Sequence, residues 1–264
     1  MNKRTLIVFF LTVFVACSMM LSYELFSLPA PAVAPDSSPP GNSLTVAIWN
    51  IHDGNTWYGT NNINNINREL ENKISKQDIV FLQEVPHGEF LDNAAKSSGY
   101  HKSGKRNAIL SKYPILNSDR VVINAAGRAA SWADIEYTNK TIIRVYSIHL
   151  SYKANGWLYI PEIRGAEFER LIDHAGTFDG PIIIAGDFNT ADIIGSNLDK
   201  RPVFQAAYRA NFMNAFHEQH CNTHMILGRI DWIFYKGMSV WLSGCGIYSG
   251  SDHRWMHATF SIIN

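Results

Sequence analysis

Residues 181–189 read Pro-Ile-Ile-Ile-Ala-Gly-Asp-Phe-Asn, and this run constrains the fold more than any other in the chain. An apolar stretch too short for a helix reads as a buried strand stopping at Gly186. Asp187 and Asn189 follow with one residue between them, and positions two apart on an extended chain point to the same side. A carboxylate and an amide are thereby aimed at one spot beyond a strand end, where layered α/β proteins usually place their chemistry. The pair suits a hard divalent cation and a phosphate oxygen. Alone, it also fits a plain polar turn.

Five more polar clusters interrupt or end apolar runs in the same way. The segment 46–50 ends on Asn50, and 78–84 ends on Gln83 and Glu84. A histidine, His149, sits near the end of 145–150. Asp231 lies inside 229–234, and Ser251-Asp252-His253 precedes the last strand. Each has a dull reading: Asn50 as a turn cap, Glu84 as a solvated strand end, His149 as a satisfied core histidine. Buried carboxylates, however, are costly unless paired, protonated or metal-bound. Several strands each delivering one such group form a set, and the set is the signal.

The pattern around it is layered. Ile63, Ile66, Leu70 and Ile74 make one apolar stripe over 61–76, the mark of an amphipathic helix. The spacing predicts a second helix over 161–175, with Pro161 in its first turn, and a third over 203–212. Strand-like runs cover 44–49, 79–82, 108–111, 130–137, 141–150, 182–185, 230–235, 240–247 and 257–262. Two sheets packed face to face with helices outside would use these elements.

Taken in order, Trp49-Asn50, Gln83-Glu84, the run from Asn107 to Pro114, Ile148-His149-Leu150, Gly186-Asp187-Phe188-Asn189, Arg229-Ile230-Asp231-Trp232 and Ser251-Asp252-His253 resemble the endonuclease/exonuclease/phosphatase superfamily. That superfamily includes pancreatic-type deoxyribonucleases, AP endonucleases, bacterial sphingomyelinases and inositol polyphosphate 5-phosphatases. The resemblance covers the chain from about Leu44 onward. It implies an α/β fold, a four-layer α-β-β-α sandwich of two mixed sheets, with phosphoester hydrolysis assisted by Mg²⁺ or Mn²⁺.

The same resemblance implies the roles. Glu84 would be the first metal ligand, with Asn50 and Asp252 completing the set. Asp187 and Asn189 would ligate or orient phosphate and water. His253 would be the general base, oriented by Asp231 in the manner of a triad. His149 would donate to a phosphoryl oxygen or protonate the leaving group. Asn107 matches an asparagine of the family's strand motif and would help place the phosphate or His149, with turn chemistry the equal alternative. Apart from the resemblance, Arg128 and Arg164 could contact phosphate, since a guanidinium reads it bidentately; Arg164 reads more readily as a solvated helix residue, and His257 as structural. His52, Trp57 and Tyr58 follow the first site strand, where they would either rim a cleft or pack an ordinary loop.

Lys and Arg together balance Asp and Glu, 23 against 23. No basic field of the kind that marks tight nucleic-acid binders is present, which still leaves room for transient capture by a nuclease. The start of the chain, Met1-Asn-Lys-Arg followed by 6–21 without a charge, reads as a secretory signal or a retained anchor, since a spanning helix wants ~20 residues. Ala32-Val33-Ala34 resembles a cleavage site, with Pro35 unfavourable after it. Val15-Ala16-Cys17 is a partial lipobox. The expected division is 1–28 as signal or membrane anchor, 29–43 as a Pro/Ala/Ser-rich linker and 44–264 as the catalytic domain, placed outside the cytoplasm as a monomer. In an oxidising compartment Cys221 and Cys245 would either pair or remain buried thiols. His217, His220 and His224 lack the second half of a zinc motif.

Substrate is less constrained. Export and the His149 setting argue against chromosomal AP repair, leaving nucleic acid, or a phospholipid or inositol headgroup. No segment reads as an exposed apolar hairpin, which favours a nuclease. A non-catalytic binding or toxin-subunit-like protein is the third class, and it would have no need to keep Asp231 with His253.

Overall fold

The structure, a computed structural model, describes residues 41–56, 58–138, 141–152, 161–192, 197–216 and 221–262. The leader, the tether as far as residue 40, Trp57, His217 and His220 lie outside them. Among the described residues no helix is long and apolar enough to cross a membrane.

Twelve strands in these residues form two six-stranded mixed sheets. The first holds β1 (Ser43–Asn50), β2 (Ile79–Gln83), β3 (His101–Gly104), β4 (Ala108–Ser111), β11 (Met238–Tyr248) and β12 (Arg254–Ile262), in the order β11-β12-β1-β2-β4-β3. The second holds β5 (Ile115–Val122), β6 (Ala129–Glu136), β7 (Ile142–His149), β8 (Ile182–Asp192), β9 (Met213–Asn214) and β10 (Arg229–Lys236), in the order β5-β6-β7-β8-β10-β9. Four α-helices complete the layers: α1 (Ile63–Asn72), α2 (Phe90–Ser98), α3 (Pro161–Ala175) and α4 (Pro202–Arg209).

Burial follows the pleat. In β1, Leu44, Val46 and Ile48 face the other sheet and meet Phe81, Val145, Ile183 and Phe260. Ala47 and Trp49 point the other way, onto Ile66 and Leu70 of α1 and Phe90 and Leu91 of α2. Covered on both faces, such a strand must be apolar at every position, which is why these runs are continuous rather than alternating. On the far side, Phe168 and Leu171 of α3 and Val203 and Phe204 of α4 cover Tyr146, Ile148 and Ile184. The result is the expected α-β-β-α sandwich.

Five elements depart from the sequence reading, the short strands β3 and β9 among them. Helix α2 carries too short an apolar stripe to announce itself, and its stop signal is Gly99 in the left-handed region at φ 69°. Strand β5 is exposed along most of its length as a sheet edge, so it has no buried face to leave a pattern. Strand β8 does not stop at Gly186 but continues to Asp192. At Gly186 (φ 150°) a Cβ would run into the Ile148 carbonyl, so glycine lets β8 pass the end of β7 and carry on.

Candidate active site

Only two neighbouring strand pairs in the described sheets are parallel, β1 with β2 and β7 with β8. Parallel partners end at the same side, and the two pairs face each other across the interface, β1 against β8 and β2 against β7. The ends of β1, β2 and β7 and the middle of β8 therefore converge at one pole of the sandwich. They deliver Asn50, Glu84, His149 and Asp187. Two antiparallel neighbours begin at that pole: β10 sets Asp231 opposite Asp187, and β12 starts directly after His253.

The side chains meet. Asn50 Nδ2 donates to Glu84 Oε1 at 3.0 Å and to Asp187 Oδ2 at 3.1 Å. Its Oδ1 accepts the His52 N–H at 3.0 Å, which fixes the amide orientation. Asn50 thus presents its NH₂ to the carboxylates and orders them, rather than offering oxygen. Gln83 turns inward and donates to Ser147 Oγ at 3.0 Å between the sheets. Glu84, in the left-handed region at φ 51°, turns outward into the cleft. His149 lies between the two acids, Nδ1 3.9 Å from Glu84 Oε1 and Nε2 3.6 Å from Asp187 Oδ2.

Asp231 Oδ2 and His253 Nδ1 are 2.8 Å apart, both buried. His253 Nε2 then faces Asp187 Oδ2 at 3.9 Å. Trp49 Nε1 donates to the His253 carbonyl at 3.0 Å. Ser251 Oγ donates to the Asn50 carbonyl at 2.7 Å and accepts from the His253 N–H at 3.1 Å, tying the two halves of the site together. Asp252 falls in a neighbouring cluster, between His52 (3.5 Å), His224 (3.6 Å) and His253 (4.0 Å).

Asn189 reaches the cleft by a different route from simple strand alternation. Its backbone sits at φ 49°, Asp187 Oδ1 accepts its N–H at 2.8 Å, and its side chain donates to the Leu150 carbonyl at 3.0 Å. Asn107 donates to the Ala129 carbonyl at 2.9 Å, and Arg128 Nη1 to the His149 carbonyl at 2.9 Å; both line the cleft. Arg164 is not a solvated helix residue. It is 2% exposed, donates to the Ser151 carbonyl at 3.3 Å and lines the cleft, because α3 turns that face toward the end of β7. His52 also lines the cleft, whereas Tyr58 lines an adjoining groove. His257 lies along β12 beside Trp255.

Electrostatics divide the two histidines. Burial pushes His253 down, but the hydrogen-bonded Asp231 carboxylate, with Asp187 and Asp252, more than offsets this and holds it at about 10. Burial, with Arg128, His253 and Arg106 nearby, drives His149 down to about 3, so it is neutral at ordinary pH. Burial first, and Asp231 second, raise Asp187. Burial opposes the charge on Asp252 too, yet His224, His253 and His52 hold it well below the carboxylate range.

The cleft, about 1260 Å³, has unlike banks. At the β5–β6 end of the sheet lie Arg120 and Arg128, with Arg106 from the β3–β4 turn paired to Asp53. At the β10 end, His224 and Gly228 close a tight turn that exposes Ile226 (75%) and Leu227 (50%) at the rim. An exposed apolar turn was not legible, since Met225-Ile226-Leu227 is short enough to pass for the start of β10. Arg106 and His224 carry no strand-end signal, although Arg106 directly precedes the run from Asn107, whereas Ser251 opens the Ser251-Asp252-His253 motif. A disulfide joins Cys221 to Cys245, Cα atoms 6.4 Å apart, and ties this turn to β11.

Residues 49–253 match the model of the Endonuclease/Exonuclease/phosphatase family. A sequence comparison with curated proteins finds no match. Among solved structures, an endonuclease/exonuclease/phosphatase from Beutenbergia cavernae is similar at 15% identity and a TM-score of 0.67, over 84% of this chain and 72% of that one. The human Nocturnin catalytic domain with bound sulfate is similar at 18% identity and 0.67, over 86% and 96%. D. rerio TDP2 complexed with a single-stranded DNA product follows at 16% and 0.62, over 83% and 99%. At these identities the likeness is one of fold.

Proposed function

The chain belongs to the Endonuclease/Exonuclease/phosphatase family, whose members hydrolyse phosphoesters, and from that membership and the geometry of the pole we propose that it is a metal-assisted phosphodiesterase acting on nucleic acid. The observation that carries the reading is the buried Asp231–His253 pair aimed at the group that Asn50, Glu84, His149 and Asp187 assemble from four adjoining strands. A packed core has no use for so many ionisable groups at one point.

The residues suit a divalent cation. Glu84, His149 and Asp187 offer ligand atoms within 4.8 Å of one another, and the raised Asp187 marks buried negative charge without enough countercharge. Glu84 and Asp187 would hold Mg²⁺ or Mn²⁺ through oxygen, with Asp252 close by and Asn50 ordering both acids. When bound, such an ion would supply positive charge to the phosphoryl oxygens and would offset the Asp187 share of the field on His253. His253 Nε2 then takes a proton from the attacking water, while Asp231 fixes the ring and stabilises the imidazolium that forms. His149, neutral, donates N–H to a phosphoryl oxygen or to the leaving oxygen. Arg128 and Asn107, each anchored to a backbone carbonyl, position the phosphate.

Nucleic acid is favoured by the arginine bank beside these groups and by the DNA-bound relative on the same fold. A phospholipid headgroup is the second reading, favoured by Ile226 and Leu227 at the opposite rim. The disulfide supports an oxidising, extracytoplasmic location. Plasmid nicking tests the proposal, run with Mg²⁺, with chelator and with His253→Ala. Metal-dependent nicking lost in the variant is the expected result. Intact plasmid, with headgroup release from phospholipid vesicles instead, would move the assignment to lipid.

A further inference from the structure

We propose that His224 is a positioning residue that holds Asp252 and the ring of His253 in place, an inference that rests on the phosphodiesterase reading above. His224 Nδ1 is 3.1 Å from the backbone N–H groups of both Ile226 and Leu227. A ring nitrogen that accepts two N–H bonds cannot also carry a proton, so the proton of neutral His224 resides on Nε2. That nitrogen faces Asp252 Oδ2 at 3.6 Å, within easy electrostatic reach of the carboxylate. The ring also stands edge-on to His253, centroids 5.0 Å apart at 84°.

The same tautomer decides against a metal role. His224, Asp252 and His253 lie close enough to bracket an ion, but an Nε2–H has no lone pair to give. His224 is a donor to its neighbours, not a ligand.

Its mount is rigid. Cys221 ties the loop to β11. Thr223 Oγ1 accepts from Ile230 and Asp231 N–H at 3.1 and 3.2 Å. The Arg254 N–H donates to the Thr223 carbonyl at 2.7 Å, the His224 N–H to Gly228 at 2.9 Å, and the Met225 N–H to the Asp252 carbonyl at 3.2 Å. One short segment therefore fixes both the strand carrying Asp231 and the loop carrying Asp252, with His224 at their junction.

Two substitutions separate holding the turn from holding the acid. His224→Asn keeps an acceptor where Nδ1 sits and removes the donor toward Asp252. His224→Gln places an N–H donor where Nε2 sits. The expected result is that Asn lowers kcat by about 10–100-fold, the usual effect of losing an orienting partner, with KM and Tm little changed, and that Gln restores most of it. Wild-type kcat in the Asn variant, or equal losses in both, would overturn the proposal. Long-range ¹H–¹⁵N spectra of the imidazoles in the wild-type protein test it without turnover. An unprotonated His224 Nδ1 supports it, and a protonated one overturns it. If the wild-type protein cleaves no phosphodiester, the functional reading fails while the spectrum still decides the tautomer.

Discussion

His253 is held between opposing demands: burial disfavours its charge, and three carboxylates impose it. The balance turns on Asp231, whose Oδ2 makes the only hydrogen bond described for the ring. Asp231→Asn keeps the shape and removes the charge that fixes the tautomer, so kcat should fall on the order of 10²–10⁴-fold while circular dichroism stays native. Retention of wild-type kcat would remove Asp231 from the mechanism. His257 gives a prediction in stability instead. Burial lowers its pKa from 6.5, so below that value the unfolded chain binds a proton that the folded one refuses. Its contribution is whole above pH 6.5 and erodes as pH falls toward the depressed folded value, with a slope of at most about 1.4 kcal/mol per pH unit. Denaturant titrations between pH 7 and 5 should show a shallower decline in His257→Gln than in the parent; parallel curves would refute the assignment. At this scale Asn50, Glu84, His149, Asp187, Asp231 and His253 were legible because each interrupts an apolar run. For Arg164 the choice between cleft and solvent stayed open, because a helix spacing does not say which face meets a cleft, and the place of His224 stayed unread, because it sits on a turn with no periodicity.

Elements were legible in proportion to their burial. The strands covered on both faces, β1, β2, β7 and the first half of β8, left continuous apolar runs, and α1 left a clean stripe. The edge strand β5 and the short α2 left neither, and the extension of β8 past Gly186 depends on one residue accepting a backbone angle that others resist. Residues 222–228, the turn that carries His224, bury no apolar side chain of their own and lean on the Cys221–Cys245 disulfide. The two cysteines are separated by 24 positions, and closing a loop of that order in the unfolded chain stabilises the native state by about 3 kcal/mol. Cys221→Ser with Cys245→Ser should lower the unfolding free energy by roughly that amount in denaturant melts. The accompanying loss of kcat should exceed the loss in a variant of equal instability made in the α3–α4 layer. Equal losses would mean that the bridge serves stability alone.

The whole molecule is a sandwich with two unlike poles. The acids and histidines of the site lie where β1, β2 and β7 end, at the middle of β8, and where β10 and β12 begin. The described chain enters β1 at Ser43, beside Ser261 of β12 and the start of β11, at the other pole. The eight residues of β1, at about 3.3 Å each, put the two poles on the order of 25 Å apart. A domain held from its N-terminal side therefore presents its cleft away from the point of attachment, which suits an enzyme whose substrate is a long polymer arriving from solution. Immobilising the protein on beads through its N-terminus should leave the plasmid-nicking rate per molecule unchanged. Attachment through a biotin on the cysteine of Ile226→Cys, whose side chain is exposed and whose backbone N–H to His224 is kept, should abolish it. A short dinucleotide ester, small enough to enter beside the attachment, should still be cleaved in the second case. Loss of plasmid nicking in both orientations would show that the cleft does not face away from the attachment pole. Loss of dinucleotide cleavage by the protein held at residue 226 would instead show that the turn sets the site's geometry as well as its access.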